Sequence, residues 1–170
     1  MSEVLNVGNG SDFYGTVRMD VYPTKATNLI ADMETDFPFR DDSFDEVHSR
    51  YTFEHLRNPG HMVRECFRVL KPKGKIYILT NNAWFWRYSW GIAKEHSAGY
   101  DQQGRTEDHH YALFLPWHLR PFLEKEGFLE VEVGFDGWTR KLDRLLKSTG
   151  LGRMSAQNVY AKGRKPASSG

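Results

Sequence analysis

The stretch LNVGNGSDFYGTVRMD, residues 5–20, decides how this chain is read. It holds an apolar strand-like run, two glycines two residues apart, and a second strand-like run that reaches Asp20. Glycine after a strand lets the backbone turn sharply and lets a ligand approach with no Cβ in the way. A carboxylate at the end of the next strand can accept hydrogen bonds from the vicinal hydroxyls of a ribose. The pattern suits the loop of a nucleotide-type cofactor. An ordinary glycine-rich turn at Gly8 and Gly10, and a turn aspartate beside Tyr22-Pro23, are the alternatives. About nine residues separate the first strand from the second. A parallel crossover usually takes roughly a dozen or more, often as a helix. The helix that would follow the glycine loop is therefore predicted to be missing. The same residues argue against a nicotinamide site, because Phe13 stands where that fingerprint needs its third glycine and the spacing leaves little room for its helix.

Outward from this stretch, EVLNVG (3–8), VRMDV (17–21), TNLIA (27–31), FDEVHS (44–49) and KIYILT (75–80) read as short strands. Asn58-Pro59-Gly60 leads into a helix with an apolar stripe of Met62, Val63, Cys66, Phe67, Val69 and Leu70. Lys71-Pro72-Lys73-Gly74 stops it, since proline cannot continue a helix and cations suit its C-terminus. Pro116-Trp117 opens a second helix to about Glu126, closed by Gly127; a third is predicted over 139–147. FLEVEVGF (128–135) and QNVYAKG (157–163) are the last strands. Residues 81–115 lack clean periodicity and are read as a lid or substrate segment. The polar end KPASSG is expected to be disordered. Short apolar strands alternating with helices mean an α/β fold: a Rossmann-like, doubly wound, mostly parallel sheet of about seven strands. Its last strand is antiparallel, helices cover both faces, and the first crossover helix is missing. The expected organisation is one domain over 1–165 and a tail at 166–170.

Composition narrows the function. With 170 residues, 39% hydrophobic, 26% charged and a net charge of +1, nothing in the bulk favours nucleic acid or a membrane surface. No apolar run approaches the roughly 20 residues of a membrane span. MSEVLNV lacks the features of a signal peptide, and the single cysteine, Cys66, fits a reducing compartment. A cytoplasmic location is expected.

In such sheets ligands bind beyond the carboxyl ends of the strands. That directs attention to Gly8–Ser11, Asp20, Asp32 and Ser49–His55. Asp32 could accept from an adenine amino group and Met33 could pack on the purine; a solvated turn is the alternative.

The joint pattern is more specific. DMETDFPFRDDSFDEVHSRYTFEHLRNPGHMVRECFRVLKPKGKIYI resembles the class I S-adenosylmethionine-dependent methyltransferases. LNVGNG is similar to their glycine motif and VRMDV to their acidic second-strand motif. The resemblance covers about residues 4–80 and continues more weakly through HHYALFLPWHLRPFLEKEGF. It implies S-adenosyl-L-methionine as cofactor, contacted by Asn6, Gly8, Gly10, Asp20, Val21, Asp32, Met33, Ser49, Arg50 and Tyr51. Asn6 departs from the family's usual aspartate, keeping an acceptor oxygen but losing the charge. A compact subset that shares this short start is associated with glycan or lipid-linked sugar biosynthesis. The expected acceptor is therefore a small molecule or glycan. A homodimer or partner subunit is expected to help cover the cofactor.

Methyl transfer needs alignment and a proton acceptor. His109 and His110, with Glu107 and Asp108 beside them, and His55 in FEHL are the candidates; a polar loop and a structural histidine are the plainer accounts. No metal is expected, since His96, Asp108, His109 and His110 match no strong ligand spacing. Trp84, Trp86, Tyr88 and Trp90 alternate and could stack on sugar rings; a packed strand or dimer contact is the alternative. Two other function classes stay open: a regulatory subunit that has lost catalysis, and an RNA or DNA methyltransferase. The latter would use Arg140, Lys141, Arg144, Lys147, Arg153, Lys162, Arg164 and Lys165, which a solvated surface explains more simply.

Overall fold

A computed structural model describes residues 2–89, 110–138 and 145–167. Its strands are β1 (Val4–Val7), β2 (Val17–Asp20), β3 (Leu29–Ile30), β4 (Phe44–Arg50), β5 (Leu70–Asn81), β6 (Leu129–Asp136) and β7 (Asn158–Arg164). The helices are α1 (Pro59–Val69), α2 (Trp86–Ser89), α3 (Pro116–Glu126) and α4 (Gly152–Ser155), with a 3-10 turn at Phe53–His55. One sheet runs in the order β3-β2-β1-β4-β5-β7-β6. β1 pairs in parallel with both β2 and β4, so the winding reverses between β1 and β4. β7 is antiparallel to β5 and β6.

The two long helices lie on one face of the sheet. Leu5 and Val7 of β1, Val47 of β4, Ile76 and Ile78 of β5 and Ala161 of β7 meet Met62, Val63, Cys66, Leu119 and Leu123 in a single core. Side chains alternate along a strand, so Asn6, His48, Tyr77 and Tyr160 point the other way. There His48 stacks on Tyr77 and tilts against Tyr14, and Tyr77 stacks toward Tyr160. Helical cover was expected on both faces. Among the described residues this second face carries a row of rings and charges and no long helix.

The connections explain the difference. Residues 8–16 join two parallel strands as a loop without a helix, as the spacing predicts. The loop is tied inward: Asn6 Nδ2 donates to the Tyr14 carbonyl (3.2 Å), and Asn9 Nδ2 to the Gly10 carbonyl (2.9 Å). Between β3 and β4 the chain also has no helix. It is held by Glu65 and Arg68 of α1. Glu65 accepts from the Phe37 amide (2.7 Å), and Arg68 donates to the carbonyls of Phe37 and Phe39. Side-chain hydrogen bonds thus do the work usually left to helical packing.

Three local expectations change. β5 begins at Leu70, five residues before the predicted strand, and passes through Lys71–Gly74 with a shift of register. Lys73 takes a left-handed φ of 67° there. The start of the polar tail is ordered. Lys73 N donates to the carbonyls of Lys165 and Pro166. Lys165 Nζ donates to the Leu70 carbonyl (2.7 Å) and pairs with Asp42 (2.8 Å), placing a cation at the C-terminus of α1. Trp86–Ser89 is helical, which ends the extended alternation read across WFWRYSW. Trp84 instead packs edge-on against Trp117. The helix predicted over 139–147 falls largely outside the described residues, as do Trp90, His96, Asp108 and His109. No helix among the described residues is long and apolar enough to cross a membrane.

Candidate functional site

The winding reverses between β1 and β4, and a crevice opens at such a point beyond the carboxyl ends of the strands. Three chain segments converge on it. Gly8 and Gly10 follow β1 with positive φ of 67° and 50°. A Cβ on Gly8 would stand 2.1 Å from Thr52 Oγ1, whereas one on Gly10 would meet nothing within 4 Å. Gly8 is therefore a packing glycine, and Gly10 leaves open backbone for a ligand. Asp20 ends β2, nearly buried. Its carboxylate accepts from the Gly10 amide (2.7 Å) and the Tyr22 amide (3.0 Å). The acidic residue and the glycine loop thus fix one another. A carboxylate has about four lone-pair sites, so acceptor capacity remains.

From β4 come Ser49, Arg50, Tyr51 and Thr52. The buried Ser49 Oγ has no hydrogen-bond partner. Arg50 is exposed, with its guanidinium 5.7 Å from the Tyr51 ring. Tyr51 holds a left-handed φ of 55°, rare for a bulky residue, and accepts from Asn158 Nδ2 at its hydroxyl (2.9 Å). Thr52 Oγ1 lies 3.2 Å from the carbonyls of both Val7 and Gly8, joining the ends of β1 and β4. Thr52 escapes the sequence reading because nothing local marks a hydroxyl as a cross-strand tie.

The remaining predicted contacts separate. Asn6 is buried, and its amide holds the short loop through Tyr14. An ionised carboxylate could not donate to that carbonyl, which gives the asparagine a structural reason. Val21 is exposed just past β2. Asp32 is exposed and accepts from the Glu34 amide (2.8 Å) in a turn. Met33 packs into the core, so most of its surface is turned away from the crevice.

Two of the three candidate histidines come together. His55 ends the 3-10 turn after β4, and His110 opens the segment that docks beside β5. Their rings stand edge to face with centroids 4.5 Å apart. The docking is set by backbone: the Tyr111 and Ala112 amides donate to the Glu54 carbonyl, and Phe114 N donates to the Asn81 carbonyl. Glu54 itself is fully buried. It accepts from Thr80 Oγ1 (2.6 Å) and Asn81 Nδ2 (2.9 Å). It also escapes the sequence reading, although a glutamate in FEHL and the polar Thr80-Asn81 at a strand end are its visible parts.

Of the predicted basic cluster, Arg140, Lys141 and Arg144 lie outside the described residues, and most of the described members have partners. Lys162 pairs with Glu132, Arg164 with Glu130 and Lys165 with Asp42; Lys147 lies over the Trp138 ring.

Comparison with known proteins agrees with this geometry. A methyltransferase domain family model matches residues 15–78. The chain is 32% identical over 69 residues to the ubiquinone/menaquinone biosynthesis C-methyltransferase UbiE of Geotalea daltonii, covering 41% of this chain and 25% of that protein. It is 43% identical over 42 residues to the Escherichia coli protein YafE, covering 25% of this chain and 20% of that protein. These matches span a quarter or less of the relatives' own length. Among solved structures, an S-adenosylmethionine-dependent methyltransferase from Archaeoglobus fulgidus superposes with a TM-score of 0.72 at 18% identity, covering 96% of this chain and 86% of that one. One from Thermotoga maritima gives 0.69 at 16%, covering 97% and 82%. A methyltransferase from Haloferax volcanii, solved in complex with the Trm112 activator, gives 0.63 at 20%, covering 97% and 83%. The matched methyltransferase domain thus takes in β2 through most of β5, and the fold over nearly the full chain is the one these methyltransferases share.

Proposed function

We propose that the chain binds S-adenosyl-L-methionine at the β1–β4 crevice and transfers its methyl group to a small-molecule acceptor, a glycan or lipid-linked sugar included. One observation carries the reading. Gly10, with open space around its backbone, has its amide fixed on Asp20 at the end of β2, and at the end of β4 the buried Ser49 Oγ has no hydrogen-bond partner. That set fits the cofactor. The spare lone pairs of Asp20 suit ribose hydroxyls, and Ser49 gains a partner. Gly8, Gly10 and Asn6 shape the loop for the methionine end. The exposed Asp32, Val21, Arg50 and Tyr51 are the residues that would meet the adenosine, with Met33 behind them in the core.

Once bound, the cofactor supplies a methyl group on a positively charged sulfur. The protein aligns the acceptor atom with it and removes the acceptor's proton. His55 and His110 are the groups suited to that proton, with His109 the third candidate. The stretch shared with a quinone-biosynthesis C-methyltransferase supports a small organic acceptor. The ion pairs of Lys162, Arg164 and Lys165 argue against nucleic acid. The activator bound to the Haloferax volcanii protein supports a partner subunit, or a second copy, as cover for the open rim.

The test is calorimetric titration with S-adenosylmethionine and S-adenosylhomocysteine, with Asp20→Ala alongside. Micromolar binding lost in the variant is expected. No binding by the well-folded wild-type chain would replace this reading with that of a non-catalytic subunit.

A further inference from the structure

We propose that Glu54, His55 and His110 form a site for a divalent transition-metal ion at the edge of the crevice. Each offers one ligand atom, and these atoms lie within 4.8 Å of one another. A first-row ion with ligand bonds of about 2.0–2.2 Å spans such a set after small side-chain adjustments. Two imidazoles and one carboxylate select zinc, manganese, cobalt, nickel or iron over magnesium or calcium, which prefer all-oxygen sets.

The surroundings are those of a held ligand set. Metal-bound carboxylates are usually oriented by further hydrogen bonds. Here Thr80 Oγ1 and Asn81 Nδ2 each donate to one oxygen of Glu54. The two chain segments that bring the histidines together are fixed to each other. The Glu54 carbonyl accepts from Tyr111 and Ala112 amides, and Arg57 Nε donates to the Tyr111 hydroxyl (3.0 Å). Glu54 is fully buried, while His55 and His110 are half-buried, so the set is anchored within and open outward. The composition of the lid alone points to a different set, because Glu54 and His55 are far from it in sequence.

Three protein ligands leave a coordination position open, as catalytic sites do. The 3-10 turn bearing Glu54 and His55 begins one residue after Thr52, which touches Gly8. A metal held by these residues would thus sit close to the end of β1, where the cofactor is proposed to bind. An acceptor oxygen bound at the open position would lose its proton to solvent more readily, because the cation lowers its pKa. The two imidazoles then serve as ligands rather than bases. This role rests on the methyl-transfer reading; the existence of the site does not.

The test uses the full chain, stripped with a chelator, dialysed, and titrated with Co²⁺ and Zn²⁺. Visible d–d absorption of Co²⁺ and calorimetry are the readouts. One ion per chain is expected, with affinity falling at least tenfold in His110→Ala and His55→Gln, each checked by circular dichroism. S-adenosylhomocysteine binding should survive in His110→Ala, and metal binding should survive in Asp20→Ala. Equal metal affinity in wild type and both histidine variants, or no wild-type binding at micromolar metal, overturns the site. Metal binding without cofactor binding keeps the site and removes the methyl-transfer reading.

Discussion

Gly8 and Gly10 look alike in the sequence and differ in what surrounds them. Both take left-handed φ, which costs a side chain about 1–2 kcal/mol. A Cβ at Gly8 also collides with Thr52 at the β1–β4 junction. Gly8→Ala should therefore destabilise the fold by about 3 kcal/mol or more, as overpacking adds to strain. Gly10→Ala should cost about 1–2 kcal/mol and weaken cofactor binding by more than its stability loss explains. Thermal unfolding alongside calorimetry separates the two; equal melting temperatures for both variants would contradict the assignment. The same contrast shows how much of the site is legible. The glycines, Asp20 and the pair of histidines stand out by residue type. Thr52 and Glu54 act through partners that are dozens of residues away, and no local pattern marks them.

At the scale of elements, α1 is capped and then put to use. Asn58 Oδ1 accepts from the His61 amide, and Pro59 occupies the first turn, where its missing N–H costs nothing. Its inner face enters the core while Glu65 and Arg68 hold the β3–β4 connection. The Arg68 guanidinium and the Phe37 amide keep the Glu65 carboxyl below its ordinary value of 4.5. A depressed carboxyl stabilises the fold above the unfolded-state value. That contribution fades as pH falls through the folded-state value. Glu65→Ala should cost about 2–4 kcal/mol near neutral pH, since it strands the buried Phe37 amide and removes one of the two carboxylates that Arg68 pairs with. It should also flatten the loss of stability below about pH 4.5. Denaturant melts from pH 3 to 7 test this; parallel curves for wild type and variant would refute it. The long helices and most strands are legible because their apolar periods are local. Lys71–Gly74 is not, because its strand pairing is completed by Lys165 and Pro166 from the other end of the chain.

For the molecule as a whole, one core joins the sheet to α1 and α3, and Cys66 sits within it. Complete burial pushes its thiol well above the ordinary range. The thiolate is the reactive form, so labelling must wait for an opening of the fold. A thiol reagent should modify the native chain slowly and at a rate that rises with denaturant across the unfolding transition. Rapid stoichiometric labelling in native buffer would mean that α1 is not seated as described. Burial on a packed face also makes Cys66 inert in the proposed chemistry.

The sequence by itself determined the class of fold, the missing crossover helix and the residues around which a cofactor would be sought. Each of these depends on spacing along a few consecutive residues: apolar period, glycine position and loop length. Tertiary structure alone decided which face of the sheet is packed, that Thr52 ties β1 to β4, and that Glu54, His55 and His110 meet. Those outcomes depend on sheet order, on strand register and on hydrogen bonds between distant segments. Chain folding brings such groups within ångströms, and no local periodicity records it.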